Sequence, residues 1–318
     1  MTGTRSKEIL VLGGCGFIGS ALAVKLRTEG FNVTLLDPLP PRDSTFRDCW
    51  IPGRMEDVPP TEKILRPGMT VVHLAWTSLP EPSNRDPYGD IASNLLPSLR
   101  WLEGCVETGV AQVIFMSSGG TVYGIPRARP ISEEHPTDPI CSYGIGKLAV
   151  EKYLALFRRL HDLPYIVLRA SNVYGPGKDP FGRQGAINVF LGNVVRSEPI
   201  RIWGDGGVVR DYIYIEDLLA LFLRCIDAPI GDETPVFNAG SGEGHSLRDI
   251  IDRIRAVTGT DPKVEWTPGR IVDVPANILD IRKVRERFGW TPAVPIDDGI
   301  RESWNWIRAL SSPGPGGG

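Results

Sequence analysis

EILVL (8–12), followed at once by GGCGFIG (13–19), decides the fold class. The apolar, β-rich run reads as a buried strand. A helical pattern from about Ser20 to Glu29 stops at Gly30, and FNVTLLD (31–37) is a second apolar strand with an acid at its end. Strand, glycine turn, helix, strand opens a parallel α/β sheet. Gly13 lets the strand turn tightly. Gly16 omits a side chain where a diphosphate would approach, and Gly19 lets the helix pack close to the sheet. The first helical N–H groups, at Phe17 and Ile18, then offer the positive end of the helix dipole to phosphates. Asp37 can accept hydrogen bonds from both ribose hydroxyls and would repel a 2′-phosphate, so NAD is expected over NADP. The bland alternative for Asp37 is a cap on the turn before Pro38.

Further buried strands are expected at TVVHLA (70–75), QVIFMSS (112–118) and YIVLRA (165–170), with helices around 92–108 and 143–160 between them. Such alternation predicts an α/β fold: a doubly wound, Rossmann-type parallel sheet. After Tyr174 the texture changes. GPGKDPFGRQG is a loop, followed by a helix at 185–197, the short strand RIW (201–203), a GDGG turn and a helix after Tyr214. VFNAG (236–240) reads as one more parallel strand, and KVEW (263–266) and amphipathic segments near 280–287 and 296–309 complete the chain. The expected division is an NAD-binding domain over 1–175, with returning segments near 205–225 and 234–245. A smaller, partly interleaved C-terminal α/β substrate domain takes most of 176–310. The tail SSPGPGGG (311–318) is expected to be disordered.

The 318 residues carry 35 basic and 38 acidic side chains, scattered rather than striped, for a net charge of −3. That offers no field for nucleic acid. No apolar run approaches the roughly 18 residues of a membrane span. MTGTRSKE leads straight into a strand, with no room for a signal peptide. Five cysteines (15, 49, 105, 141 and 225) show no disulfide framework, and with four histidines they form no metal-ligand motif. A cytoplasmic protein without a metal is the expectation.

YGIGK places Tyr143 and Lys147 four residues apart, on one face of a helix. A phenol is a poor base at its reference pKa near 10. A neighbouring ammonium, helped by a cationic nicotinamide, favours the phenolate and permits proton exchange with a sugar hydroxyl.

These motifs resemble the extended short-chain dehydrogenase/reductase family, in its nucleotide-sugar epimerase and dehydratase branch, with a UDP-glucose 4-epimerase-like pattern. The likeness runs over roughly 8–308 and adds HLAW (73–76), SSGGTVYG (117–124), RASNVYGPG (169–177), IWGDGGVVRDYIYIEDL (202–218) and PGRIVDVPANILDIRK (268–283). It implies NAD on Gly13, Gly16, Gly19 and Asp37, with Leu74 and Ala75 lining the crevice and Asn94 and Ser117 near the nicotinamide half. Tyr143 would be the base and Lys147 its partner. The acid that usually meets the adenine is replaced by Arg54, with Asp57 nearby. Asn172, Arg210 and Arg270 would hold a substrate diphosphate, Asp273 a ribose hydroxyl, and Trp203 and Val189 the base. The resemblance also implies a homodimer through the helices near 92–108 and 143–160.

One departure matters. The family places a serine or threonine four residues before the tyrosine of VYG, and here that residue is Gly119. The acidic pair of the dehydratases is missing from the same segment, which sets water elimination aside. An epimerase or a 4-ketoreductase could work with Tyr143 alone, or recruit Ser118 or Thr121 as the polarising hydroxyl. A sugar-nucleotide-binding or NAD-binding protein without activity is the third reading.

Overall fold

The computed structural model describes residues 7–182, 184–228, 234–268 and 274–311. In chain order its strands are β1 (Glu8–Leu12), β2 (Asn32–Asp37), β3 (Trp50–Pro52), β4 (Thr70–His73), β5 (Gln112–Ser118), β6 (Tyr165–Ala170) and β7 (Asn172–Tyr174), then β8 (Ile200–Trp203), β9 (Val209–Tyr214), β10 (Val236–Ala239), β11 (Gly244–Ser246), β12 (Val264–Thr267) and β13 (Ala276–Asn277). The helices are α1 (Phe17–Thr28), α2 (Pro80–Ser83), α3 (Pro87–Asp90), α4 (Leu96–Thr108), α5 (Ser142–His161), α6 (Ala186–Val195), α7 (Ile215–Asp227), α8 (Leu247–Thr258), α9 (Arg282–Phe288) and α10 (Ile296–Ser311).

Seven strands form one parallel sheet in the order β10-β6-β5-β4-β1-β2-β3. Because a parallel sheet is covered on both faces, its strands are apolar on both, which is why EILVL and QVIFM read as continuous runs. Ile9, Val11, Ile114 and Ile166 pack with Leu22 and Leu26 of α1 and Leu218 and Phe222 of α7. Leu10, Leu12, Val113 and Phe115 face Trp101 and Leu102 of α4 and Val150 and Leu154 of α5. Each such side chain contributes about 1.5–3 kcal/mol of burial.

The final third builds around a smaller sheet, β11-β9-β13 with β7 beside β9, and the pair β12-β8. VFNAG joins the large sheet against β6, as the interleaving requires. The sequence reading has no counterpart to α8, which opens on a capping box between Ser246 and Asp249. Ser311, expected in the tail, instead closes α10; 312–318 lie outside the described residues. Among the described residues no helix is long and apolar enough to cross a membrane.

Candidate active site

The strand order reverses between β1 and β4, and a crevice for a ligand opens at their C-terminal ends. Gly13 there has φ +81°, and a Cβ on it would stand 2.7 Å from the Ala75 backbone nitrogen. A Cβ on Gly19 would strike the Gly13 carbonyl oxygen, so α1 rests directly on the turn. At Gly16 a Cβ would meet only that same oxygen, at 3.5 Å, and the turn is otherwise open. Helix α1 starts at Phe17 with no capping side chain and no acid in its first turn, leaving the Phe17 and Ile18 end uncompensated. Gly14, Gly16, Phe17, Pro176 and Gly177 help to line a cavity of about 250 Å³ beside it. Leu74 extends β4 by donating to the Leu12 carbonyl at 2.9 Å, and with Ala75 forms the wall against Gly13.

Asp37 is buried at the end of β2. Its Oδ2 accepts from Cys15 N at 3.0 Å and its Oδ1 from Leu39 N at 2.9 Å. The carboxylate therefore does cap the turn, and each oxygen keeps a second lone pair for a ribose hydroxyl. Asp57 is exposed beyond β3, and Arg54 is paired with Glu56 at 3.5 Å. The open glycine turn, the uncapped helix and the acid at the end of β2 fit a dinucleotide.

Helix α5 brings Tyr143 and Lys147 to the same crevice. Its first N–H groups are capped from a distant segment: Ser142 N donates to Asn84 Oδ1 and Tyr143 N to Ser83 Oγ, each at 2.9 Å. Lys147 Nζ donates to the Met116 carbonyl at 2.8 Å, and burial draws its pKa down to about 7 against the opposing pull of Glu151 and Asp90. Burial raises the Tyr143 phenol, while a hydrogen bond with Ser118 lowers it. Desolvation is the largest influence on the Tyr143 phenol, and the hydroxyl at its side is Ser118.

The rest of SSGGTVYG falls into place around that contact. Ser117 donates to the buried Glu151, two turns along α5 from Tyr143. Asn94 is also occupied, its Oδ1 accepting from Thr77 N at 2.7 Å and its Nδ2 donating to Asp90. Thr121 Oγ1 is enclosed and has no hydrogen-bond partner among the described residues. A Cβ on Gly119 would lie 2.6 Å from Leu279 Cδ1, so the expected hydroxyl has no room there.

On the substrate side, β7 and β9 pair with Asn172 opposite Tyr212, which puts Asn172 and Arg210 on one small sheet. Asn172 Nδ2 donates to the Asp211 carbonyl at 3.0 Å, and Arg210 to the carbonyls of Val209 and Val274. Trp203 is exposed at the end of β8 and Val189 half-buried on α6. Arg270 and Asp273 lie outside the described residues. Sequence reasoning missed Ser83, Asn84, Asp90 and Glu151, which hold α5 in place. Their partners are 18 to 60 residues away, and no local pattern announces them.

A doubly wound sheet, an open glycine turn and a Tyr–Lys pair on one helix define a nicotinamide-dependent enzyme of the short-chain dehydrogenase/reductase type. The profile of the NAD dependent epimerase/dehydratase family matches residues 9–240, and the chain belongs to that family. The structure is similar to UDP-glucose 4-epimerase of Thermotoga maritima, solved with UDP-glucose, at TM-score 0.89 and 34% identity, covering 96% of this chain and 100% of that one. It is similar to the UDP-glucose 4-epimerase of Thermus thermophilus, solved with NAD, at TM-score 0.87 and 32% identity, covering 95% and 99%. In sequence it is 33% identical to the dTDP-4-dehydro-6-deoxyglucose reductase of Escherichia coli, over 96% of this chain and 98% of that protein.

Proposed function

We propose that this chain is an NAD-dependent nucleotide-sugar 4-epimerase, with a UDP-hexose as its substrate. The observation that carries the reading is the hydroxyl pair Ser118–Tyr143, set on β5 and α5 beside the buried Lys147 ammonium. Asn172 and Arg210 hold the diphosphate, joined by Arg270; guanidinium groups suit its oxygens. The sugar 4-hydroxyl then lies against Tyr143, which removes and later returns its proton. Ser118 donates to or accepts from the same oxygen as charge moves. Bound NAD supplies reversible hydride exchange at C4. Rotation of the 4-keto sugar about its diphosphate linkage presents the other face of C4, and inversion results. Lys147, cationic at neutral pH or below, stabilises the phenolate that the proton transfer requires.

A 4-ketoreductase, the activity of the 33% identical relative, would use the same side chains. The decisive experiment incubates the protein with catalytic NAD and, separately, UDP-glucose, UDP-N-acetylglucosamine and UDP-glucuronate. C4 inversion without net NADH is expected. Stoichiometric NADH consumption on a 4-keto nucleotide sugar, with no inversion, would replace the epimerase by the reductase.

The same reading includes a homodimer. Ile145, Tyr153, Leu156 and Leu160 leave an apolar stripe exposed along α5, and Leu96 does so on the adjoining α4. Two copies pairing these helices would cover it. Five unpaired cysteines support a cytoplasmic protein, and the crevice supports a division between cofactor and substrate regions near residue 175.

A further inference from the structure

We propose that Trp76 is a positioning residue for the catalytic pair: its ring seats the Lys147 ammonium and braces Tyr143, and a hydrogen-bond relay through Ser78 and Asp90 ties it to the first turn of α5. The inference rests on the assignment of Tyr143 and Lys147 above.

Nothing in the proposed proton transfer requires tryptophan at the end of HLAW. Its surroundings account for it. Lys147 Nζ stands 4.2 Å from the Trp76 ring centroid, 4.9 Å from that of Phe115 and 5.7 Å from that of Tyr143. Trp76 meets Tyr143 edge-on, with 5.8 Å between centroids and 71° between planes. An ammonium over an indole face is held by the ring quadrupole, more strongly away from water. The backbone is adapted to the ring: Gly146, one residue before Lys147, carries no side chain, and a Cβ there would lie 3.0 Å from Trp76 Cζ2.

The far side of the indole is held too. Trp76 Nε1 donates to Ser78 Oγ at 3.1 Å, and Ser78 Oγ donates in turn to Asp90 Oδ1. Asp90 is buried and also accepts from Asn94 Nδ2 at 2.9 Å and, through Oδ2, from Ser142 Oγ at 2.7 Å. Ser142 immediately precedes Tyr143. One ring is thus fixed by α5 at its face and, through the relay, at its N–H edge.

Four titratable groups face or influence the ammonium. Asp90 and Glu151 favour its charge, and Glu151 is itself paired with Arg169. Tyr143 lies on the same helix, and His73, from β4, is kept neutral, with burial and the Lys147 charge pushing it down to about 3. Against the burial that draws Lys147 to about 7, the indole adds attraction without occupying the ammonium's hydrogen-bond donors.

The first test needs no turnover. The full chain as isolated and its Trp76→Phe variant are titrated by tryptophan fluorescence from about pH 5 to 9, alone and in a Lys147→Met background. The Trp76-dependent emission should change with one midpoint near 7 and be flat once Lys147 is replaced. A flat signal in the parent, or a midpoint that survives Lys147→Met, overturns the proposal. The second test is the pH profile of kcat. Trp76→Leu, shown folded by circular dichroism, should move the alkaline limb down by about 0.5 to 1.5 pH units, and Trp76→Phe should recover most of that shift. A lower kcat on an unmoved limb overturns it. Absence of turnover in the parent would instead defeat the proposed reaction, while the fluorescence titration still decides the role of Trp76.

Discussion

Gly119 and Leu279 leave no space between them: a Cβ on the glycine would stand 2.6 Å from Leu279 Cδ1 and 3.0 Å from the Arg169 carbonyl oxygen. Leu279 is fully buried, and Asn277 of β13 donates to the Gly119 carbonyl at 2.9 Å. The segment after β13 therefore closes over the SSGG loop from the substrate side. The hydroxyl that the family pattern expects at 119 is displaced by packing, and the adjacent Ser118 meets Tyr143 instead.

Restoring the family residue should consequently fail. Gly119→Ser is expected to destabilise by about 1–3 kcal/mol through overpacking and to raise no activity. Combining it with Leu279→Ala should cost less than the sum of the two changes, since the smaller residue vacates the space. Urea midpoints of the four proteins measure the coupling. Strict additivity would mean that the loop relaxes away from Leu279.

The two candidate hydroxyls separate cleanly. Ser118→Ala removes the partner of Tyr143 and should lower kcat by at least about 10-fold, with cofactor retained. Thr121→Val replaces a hydroxyl that is enclosed without a partner among the described residues, so stability should be unchanged or improved and kcat kept within about twofold. Steady-state rates for both variants check the assignment. The opposite ranking would transfer the role to Thr121.

The reading of EILVL–GGCGFIG as strand, turn and helix succeeds because the physics is local: an apolar run, glycines at fixed offsets and a helical period. The same is true of Tyr143 and Lys147, one helical turn apart. Ser117 and Ser118 show where such reasoning stops, because adjacent strand residues face opposite sides and the sequence does not say which side is the crevice. Residues that orient α5 are less accessible still. Ser83 reaches Tyr143 N across 60 residues, and only the fold brings them together. Helix α8 is legible in principle, through Ser246 and Asp249 three positions apart, yet the sequence reading passes over it.

His73 should make the protein sensitive to acid. Its pKa is pushed down to about 3 in the fold, by burial first and Lys147 second, against 6.5 as the reference value. Between those values the unfolded chain binds the extra proton, so this group's stability contribution is full above about 6.5 and falls as the pH drops toward 3. The slope is at most about 1.4 kcal/mol per pH unit. His73→Phe keeps an aromatic ring beside Phe115 and should flatten the dependence of the urea midpoint between pH 6 and 4. An unchanged slope would remove His73 as its source.

Glu151 and Arg169 form the buried ion pair that fastens α5 to β6, with side chains only 3% and 6% exposed and 2.6 Å between Oε2 and Nη2. Glu151 also accepts from Ser117, and Arg169 Nη1 donates to Tyr123 OH, so the pair joins β5, β6 and the VYG segment behind the catalytic residues. Glu151→Ala leaves a guanidinium buried without its counter-ion and should cost about 3–5 kcal/mol. Glu151→Leu with Arg169→Met removes both charges and should cost markedly less, because no charge is then left unpaired. Activity should not follow stability in the double variant. Without the pair, α5 loses its fixed register against β5, and the Ser118–Tyr143 contact depends on that register. A double variant that is stable and fully active would show that α5 is positioned by Ser83, Asn84 and Asp90 at its first turn alone.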